Sequence, residues 1–493
     1  MNIQKTIVII SFVLVVGICA WIGFELFLKS HIKIPQNNVV EKPVTKPTQP
    51  IKIPTEDELL KSIKEQPDNQ IDIGLASLVI AKGVYLDIDI NAYMEKLDSM
   101  AKELKETINN TKDPAKMLNI VNNYINHHRA TKIYSIGDEE ELYGSFLNTV
   151  IDKTSGNCLG YSTLYLFLGE RLGIPLYGVI LPYHIFVKYE DGKYQKEIES
   201  TNGYDFPWLT YIMQLKSRNR VLHKGDWQYH KATKKQVVGY MLNNRGVIKN
   251  NTINYAGAIA DYTKAIEINP DFAMAYYYRG NTNAKKNDFD AAITDYTKAI
   301  EIIPYYARAY HNRGLVKFQI SNYNGAINDY TKTIEIIPDS AEAYYNRGFA
   351  EAKNGNVDDA ITDYNKAIEI NSNFAEAYYG RGLANAKKGN ETDAIADYTK
   401  AIKIRPDFVN AYNNRGYLKL KNNNLDEAIN NYNKVIEIMP NNHEAYYNRG
   451  SAKYRKGDTD GAKMDWEQAI KLNPLYEKEL KPWIDKLKDN GNK

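Results

Sequence analysis

The 34 residues 273–306, AMAYYYRGNTNAKKNDFDAAITDYTKAIEIIPYY, decide how half of this chain folds, because their spacing recurs along it. Gly280 has counterparts at Gly246, Gly314, Gly348, Gly382, Gly416 and Gly450, each 34 residues from the next (280 − 246 = 34). An alanine follows each glycine by 12 residues, from Ala258 and Ala292 to Ala462. An aromatic follows by 16, from Tyr262 and Tyr296 to Trp466. A period of this length describes stacked helical hairpins, each burying its apolar face only on its neighbours. Such a stack presents surface rather than enclosing a reaction chamber, so binding is the first expectation for it.

The unit reads Ala-x-Ala-Tyr-Tyr-Asn-Arg-Gly, a polar turn, then Ala-Ile-x-Asp-Tyr-x-Lys-Ala-Ile-Glu-Ile-x-Pro, and it resembles the tetratricopeptide repeat. The resemblance implies an all-α superhelical solenoid of seven units over 239–272, 273–306, 307–340, 341–374, 375–408, 409–442 and 443–476, closed by a capping helix and tail over 477–493. Proline at 304 and its equivalents ends each second helix. Ser372 stands in proline's place in the fourth unit and implies a softer helix end. Arg279/Asp295, Arg313/Asp329, Arg347/Asp363 and Arg381/Asp397, each 16 apart, read as ion pairs across the two helices of a unit. Asn431 opposite Arg415 weakens that link in the sixth. Two rows vary between units: a basic one (Lys285, Lys353, Lys387, Lys421, Arg455, with Gln319 interrupting) and an aromatic one (Tyr277, His311, Tyr345, Tyr379, Tyr447, with Asn413 interrupting). Side by side in a concave groove they would suit an extended acidic peptide; a solvated face with packing aromatics is the plainer reading of the same residues.

Composition bounds the rest. The chain is 493 residues long, 43% hydrophobic and 25% charged, which means two or three folded units rather than disorder. A net charge of +3 without an aromatic-and-basic RNA motif gives no footprint for nucleic acid. The two cysteines, Cys19 and Cys158, form no disulfide framework and have no metal-ligand spacing, and no cofactor signature is read. His127 and His128 are adjacent but lack acidic partners at ligand spacing, so a surface or capping role is expected of them rather than metal.

Residues 6–24, TIVIISFVLVVGICAWIGF, are uncharged, and the run through residue 28 is long enough to cross a bilayer. It reads as an uncleaved single-pass anchor over 6–28 rather than a leader, because Ile18 is large for a cleavage site and the run is long for a leader. Lys29 and Lys33 favour a cytoplasmic body by charge alone, whereas a short basic start is how export anchors begin, and we read the body as lying outside. Five prolines from Pro35 to Pro54 make residues 29–54 an extended stalk. Thr55 with Glu58 then reads as a capping box opening a helix.

Residues 55–238 carry no repeat. Helices are expected over 71–82 and 91–108, from Asp113-Pro114, and over 143–154. A helix headed by Gly156-Asn157-Cys158 follows, then a strand near 174–181 and a hairpin made of 184–189, a turn at Asp191-Gly192, and 195–200. Basic residues 216–235, with Trp227, read as a solvated connector. A thiol in a helix's first turn feels the positive end of its dipole. His184 on the next strand can take its proton, and Glu199 on the neighbouring strand can hold the imidazole tautomer, with Glu197 and Asn202 as rivals. The Cys158 N–H and the Asn157 amide could face an oxyanion.

The same stretch resembles the transglutaminase-like superfamily, in particular its SirB-type branch. The resemblance is carried by residues 71–76 (IDIGLA), 143–147 (YGSFL), 156–158 (GNC), 171–175 (RLGIP), 178–184 (GVILPYH) and 198–201 (IEST). It implies an α+β, papain-like domain with Cys158 as nucleophile, His184 as base and Glu199 in a place usually held by Asp. The resulting expectation is a membrane-anchored, multidomain protein that recruits a protein or peptide with its repeats and acts on it as a cysteine peptidase, amidase or acyltransferase. The opposing class is a non-catalytic scaffold for complex assembly.

Overall fold

The computed structural model describes residues 52–109, 111–127, 144–152, 156–181, 184–200 and 230–490. The expected anchor with Cys19, nearly all of the stalk, His128, Asn202 and Trp227 lie outside these. Among the described residues no helix is long and apolar enough to cross a membrane.

Helix α1 (Glu56–Glu65) opens on the capping box: the Thr55 side chain accepts from Glu58 N, and the Glu58 carboxylate accepts from Thr55 N at 2.8 Å. Helices α2 (Ile73–Ala81), α3 (Ile90–Ile108), α4 (Pro114–His127) and α5 (Leu147–Asp152) surround α6 (Cys158–Leu172). Every side chain from Leu159 to Gly169 is buried, so α6 is the central rod of this part, apolar all round because it is covered all round. Asp113 opens α4 as expected, its Oδ1 accepting from Ala115 N and Lys116 N at 3.0 and 3.3 Å. Strands β1 (Leu176–Leu181), β2 (His184–Glu190), β3 (Gln195–Ile198) and β4 (His230–Ala232) form one antiparallel sheet in the order β3-β2-β1-β4. The expected connector is corrected at its end: residues 230–232 pair with β1 (Ala232 opposite Gly178), because that edge has unpaired backbone groups to satisfy.

Helix α7 (Lys234–Asn251) starts at a Thr233/Gln236 capping box and runs without a break across residue 238. Its Val237, Val238, Met241 and Leu242 enter the core of the α+β part, and that core continues into Ala265, Ile268, Phe272 and Ala275. With α8 (Tyr255–Ile268), α7 makes the first helical hairpin; six more follow, from 273–285 with 289–302 to 443–456 with 459–472. The glycine ladder has a steric cause. A Cβ at Gly246, Gly314 or Gly382 would stand 2.6 to 2.8 Å from the ring of the tyrosine 16 residues on, which lies buried against it. The expected softening at Ser372 is not seen in the backbone: that helix ends at Ile370 with the same extended cap as its neighbours. There Asn371 Oδ1 accepts from Asn373 N at 3.1 Å. The last helix, 477–490, covers the final hairpin with Leu480 and Ile484.

Candidate functional site

Cys158 is the first residue of α6, and Asn157 is its cap. Asn157 Oδ1 accepts from Leu159 N and Gly160 N at 3.0 and 3.1 Å, while its Nδ2 donates to Ser145 Oγ at 2.8 Å. The Asn157 side chain thus holds the helix start on which Cys158 stands, a positioning role beside the oxyanion role expected of its amide. Tyr161 N donates to Asn157 O, which leaves Cys158 N–H as the first-turn donor with no acceptor among the described residues. Gly160 must be glycine for a local reason, since a Cβ there would meet Gly144 O at 2.1 Å.

His184 opens β2, and Glu199 follows the last residue of β3. With Val187 opposite Ile198, His184 and Glu199 lie on one face of the hairpin as a diagonal pair. His184 Nε2 sits 2.8 Å from Glu199 Oε2, with side chains 11% and 8% exposed. With Nε2 so engaged, Nδ1 is the nitrogen left to the thiol, and Cys158 is near enough to act on the imidazole. Burial alone would depress the imidazole. The bonds and negative charge of Cys158 and Glu199 outweigh it and push the group up to about 10. Of the rival orienters, Glu197 stands opposite Lys188 instead. Two serines pin this arrangement: Ser200 Oγ donates to Cys158 O at 3.2 Å and lies 2.8 Å from Ser162 Oγ, which donates to Ile185 O at 3.4 Å.

The first hairpin reaches the same place. Asn244 Nδ2 on α7 donates to Ser145 Oγ at 2.9 Å, so that one oxygen serves both the Cys158 cap and the solenoid. One turn earlier, Tyr240 packs on Phe272 at 4.4 Å, its phenol raised first by burial and then by negative charge at Cys158. Arg245 is 1% exposed and donates to Glu56 with both Nη atoms, to Asp261 with Nε and Nη2, and to Ile80 O with Nη1. It is the ladder's first arginine, and it ties α1, α2 and α8 together.

The two groove rows are placed differently from expectation. The aromatic row is mortar between units: Tyr277 packs on Tyr306, Tyr345 on Phe374, Tyr379 on Phe408 and Tyr447 on Tyr476, with ring centroids 4.9 to 5.1 Å apart. His311 is 3.3 Å from Asn346 Nδ2 of the next unit. The basic row lies eight residues further along each first helix, about 12 Å away at 1.5 Å per residue, and is not beside the aromatics. There it closes helix ends, as the dipole favours. Lys421 pairs with Glu391 of the preceding unit, Arg455 donates to Leu420 O, and Lys285 reaches Asn250; Lys353 lies over Phe349, and Lys387 is exposed.

Comparison with known proteins matches residues 91–243 to the transglutaminase-like superfamily and a series from 254 to 474 to tetratricopeptide repeats. The chain carries a transglutaminase-like domain followed by tetratricopeptide repeats. Over 134 residues it is 28% identical to a UPF0162 protein of Xylella fastidiosa (strain 9a5c), covering 26% of this chain and 46% of that protein. A UPF0162 protein of strain Temecula1 is 29% identical over 125 residues, 24% of this chain and 43% of that one. The chain thus spans under half the length of these curated relatives. Among solved structures, MamA is 32% identical over 34% of this chain and 96% of its own, with a TM-score of 0.32. YrrB, described as a TPR protein with an unusual peptide-binding site, is 26% identical over 40% and 97%, with a TM-score of 0.34. The transglutaminase-like match ends and the tetratricopeptide match begins on either side of α7's C-terminal turns, so this one helix serves both domains. Ser145, Ser162, Ser200 and Asn244 escaped the sequence reading. Signals existed for three of them: Ser162 lies at helical spacing i+4 from Cys158, and Ser145 and Ser200 stand inside the YGSFL and IEST stretches.

Proposed function

We propose that the transglutaminase-like domain performs acyl transfer through Cys158, most simply amide hydrolysis, on a protein or peptide brought in by the tetratricopeptide repeats. The supporting observation is the His184 imidazole held by Glu199 Oε2 at 2.8 Å, with the Cys158 thiol near enough to act on it. An imidazolium kept charged by Glu199 favours thiolate beside it. Attack of that thiolate on a carbonyl carbon breaks the carbonyl π bond, and the oxygen takes the electron pair. His184 then gives its proton to the amine nitrogen as the carbonyl re-forms and the C–N bond breaks; water, deprotonated by the same imidazole, attacks the resulting thioester, whose C–S bond breaks to release the acid and the thiolate. The Cys158 N–H supports the oxyanion. Glu199 keeps Nε2 engaged and so orients Nδ1 to the sulfur. On this reading residues 6–28 tether the protein to a membrane with the body outside the cytoplasm; extraction of the chain by alkaline washing of membranes would exclude the tether.

The test is labelling with an iodoacetamide probe at pH 7. Cys158 should react faster than a free cysteine, and His184→Ala should slow it. Labelling at the free-cysteine rate, or a rate unchanged by His184→Ala, overturns the catalytic reading and leaves a scaffold.

A further inference from the structure

Each repeat unit contains an internal reference for its neighbours, and one unit departs from the rule. Arg279, Arg313, Arg347, Arg381 and Arg449 each place Nη2 on the aspartate 16 residues later, at 2.5 to 2.7 Å, with Nε on the same carboxylate. In the sixth unit the aspartate is Asn431. Arg415 Nε donates to Asn431 Oδ1 at 2.9 Å and Nη1 to Thr399 Oγ1 at 3.0 Å, but Nη2 has no acceptor among the described residues. The Asn431 amide turns its own Nδ2 to Glu427 O at 2.7 Å.

The neighbouring lysine moves with this change. Lys317 and Lys453 pair with Asp329 and Asp465 of their units, whereas the equivalent Lys419 pairs with Glu427 at 2.7 Å. Arg415, Lys419 and Lys434 converge on an open cleft of about 390 Å³ that Thr399, Asn430 and Glu427 also line; Glu427 holds Lys419 and Glu437 holds Lys434, so Arg415 Nη2 is the donor left over. The guanidinium is half-buried without its carboxylate, and burial pulls it below its ordinary value, whereas Arg347 and Arg381 are raised by theirs. A partly desolvated guanidinium with Nη2 open to the cleft, beside two lysines that can exchange a surface carboxylate for another anion, is a donor set for an oxyanion.

We propose that the cleft at Arg415 binds a small oxyanion, a carboxylate or a phosphate, which supplies the acceptor that Asn431 lacks. The cleft is built from the second helix of the fifth unit and both helices of the sixth. Neither row of variable residues discussed above contributes to it, so it is separate from any peptide site along those rows. Bound anion there bridges two units and stiffens the solenoid between them.

The test is calorimetric titration of the full chain at low salt with inorganic phosphate and, separately, acetate. Wild type should bind at least one of the two saturably; phosphate alone assigns a phosphate source, and acetate alone or with phosphate a carboxylate one. Asn431→Asp gives the unit its neighbours' own residue, so it folds as they do, and it should weaken that binding roughly tenfold or more, the loss of a charge-assisted hydrogen bond. Asp329→Asn, in the unit whose Lys317, Lys332 and Thr297 match Lys419, Lys434 and Thr399, should create a second such site on Arg313. No saturable binding of either anion to wild type, equal binding by Asn431→Asp, or no added site in Asp329→Asn overturns the proposal.

Discussion

Glu56→Gln tests whether the two domains are joined by a specific buried ion cluster rather than by apolar contact alone. Arg245 grips both Glu56 oxygens at 2.6 and 2.7 Å, and Lys264 adds a third contact at 3.0 Å. Burial would raise the Glu56 carboxyl, but Arg245 and then Lys264 outweigh it and hold it at about 2 instead of 4.5. A difference of 2.5 (4.5 − 2) at about 1.4 kcal/mol per pH unit corresponds to about 3 kcal/mol. Breaking a buried pair by removing one partner costs about 3–5 kcal/mol, which agrees. The sign follows from a folded value below the unfolded one: the contribution is complete above pH 4.5 and is lost as pH falls toward 2. Native-state hydrogen exchange of the α1 amides reads the free energy of undocking this helix. Glu56→Gln should lower it by about 3 kcal/mol at pH 7 but by only about 1 kcal/mol at pH 3. A loss below about 1 kcal/mol at pH 7, or one that does not shrink at pH 3, refutes the reasoning.

Two other outcomes follow from single residues. Ile253 takes φ 63° in the turn of the first hairpin, a position held by Asn287, Ser321, Gly355, Gly389, Asn423 and Gly457 in the others, and it is 73% exposed. Ile253→Asn should therefore raise stability by about 1 kcal/mol, read as a shift of the urea midpoint, since left-handed strain is relieved and little packing is lost. His184, raised to about 10 from 6.5, contributes stability that is complete below pH 6.5 and is lost as pH rises through 10. The urea midpoint of wild type should fall across that window, and the difference from His184→Gln should close.

Much of the fold was legible because its determinants are periodic. The ladder at Gly280, the buried Tyr296 and the Arg279/Asp295 pair each recur, and repetition turns a weak local preference into a reading. Arg245/Asp261 and Arg449/Asp465 obey the same rule at the two ends. At the thiol, Cys158 and His184 were legible because a helix start and a strand start are local events. The capping by Asn157 is likewise local, but its bond to Ser145, a residue 12 positions away in sequence, was not legible. Between the two readings of the aromatic row spacing could not choose for a similar reason: Tyr277 and Tyr306 face each other only once two units are stacked.

By itself the sequence determined the repeat unit, its count and phase, and the Cys158, His184 and Glu199 candidates, since helical and strand periodicity and cap chemistry depend on near neighbours. Tertiary structure alone decided what those residues touch. It made α7 the last helix of one domain and the first of the next, set Arg245 against Glu56 across 189 positions of chain, and brought Asn244 to the oxygen that steadies the Cys158 turn. Such pairings are fixed by how buried surfaces close on one another, and spacing along the chain does not encode that closure.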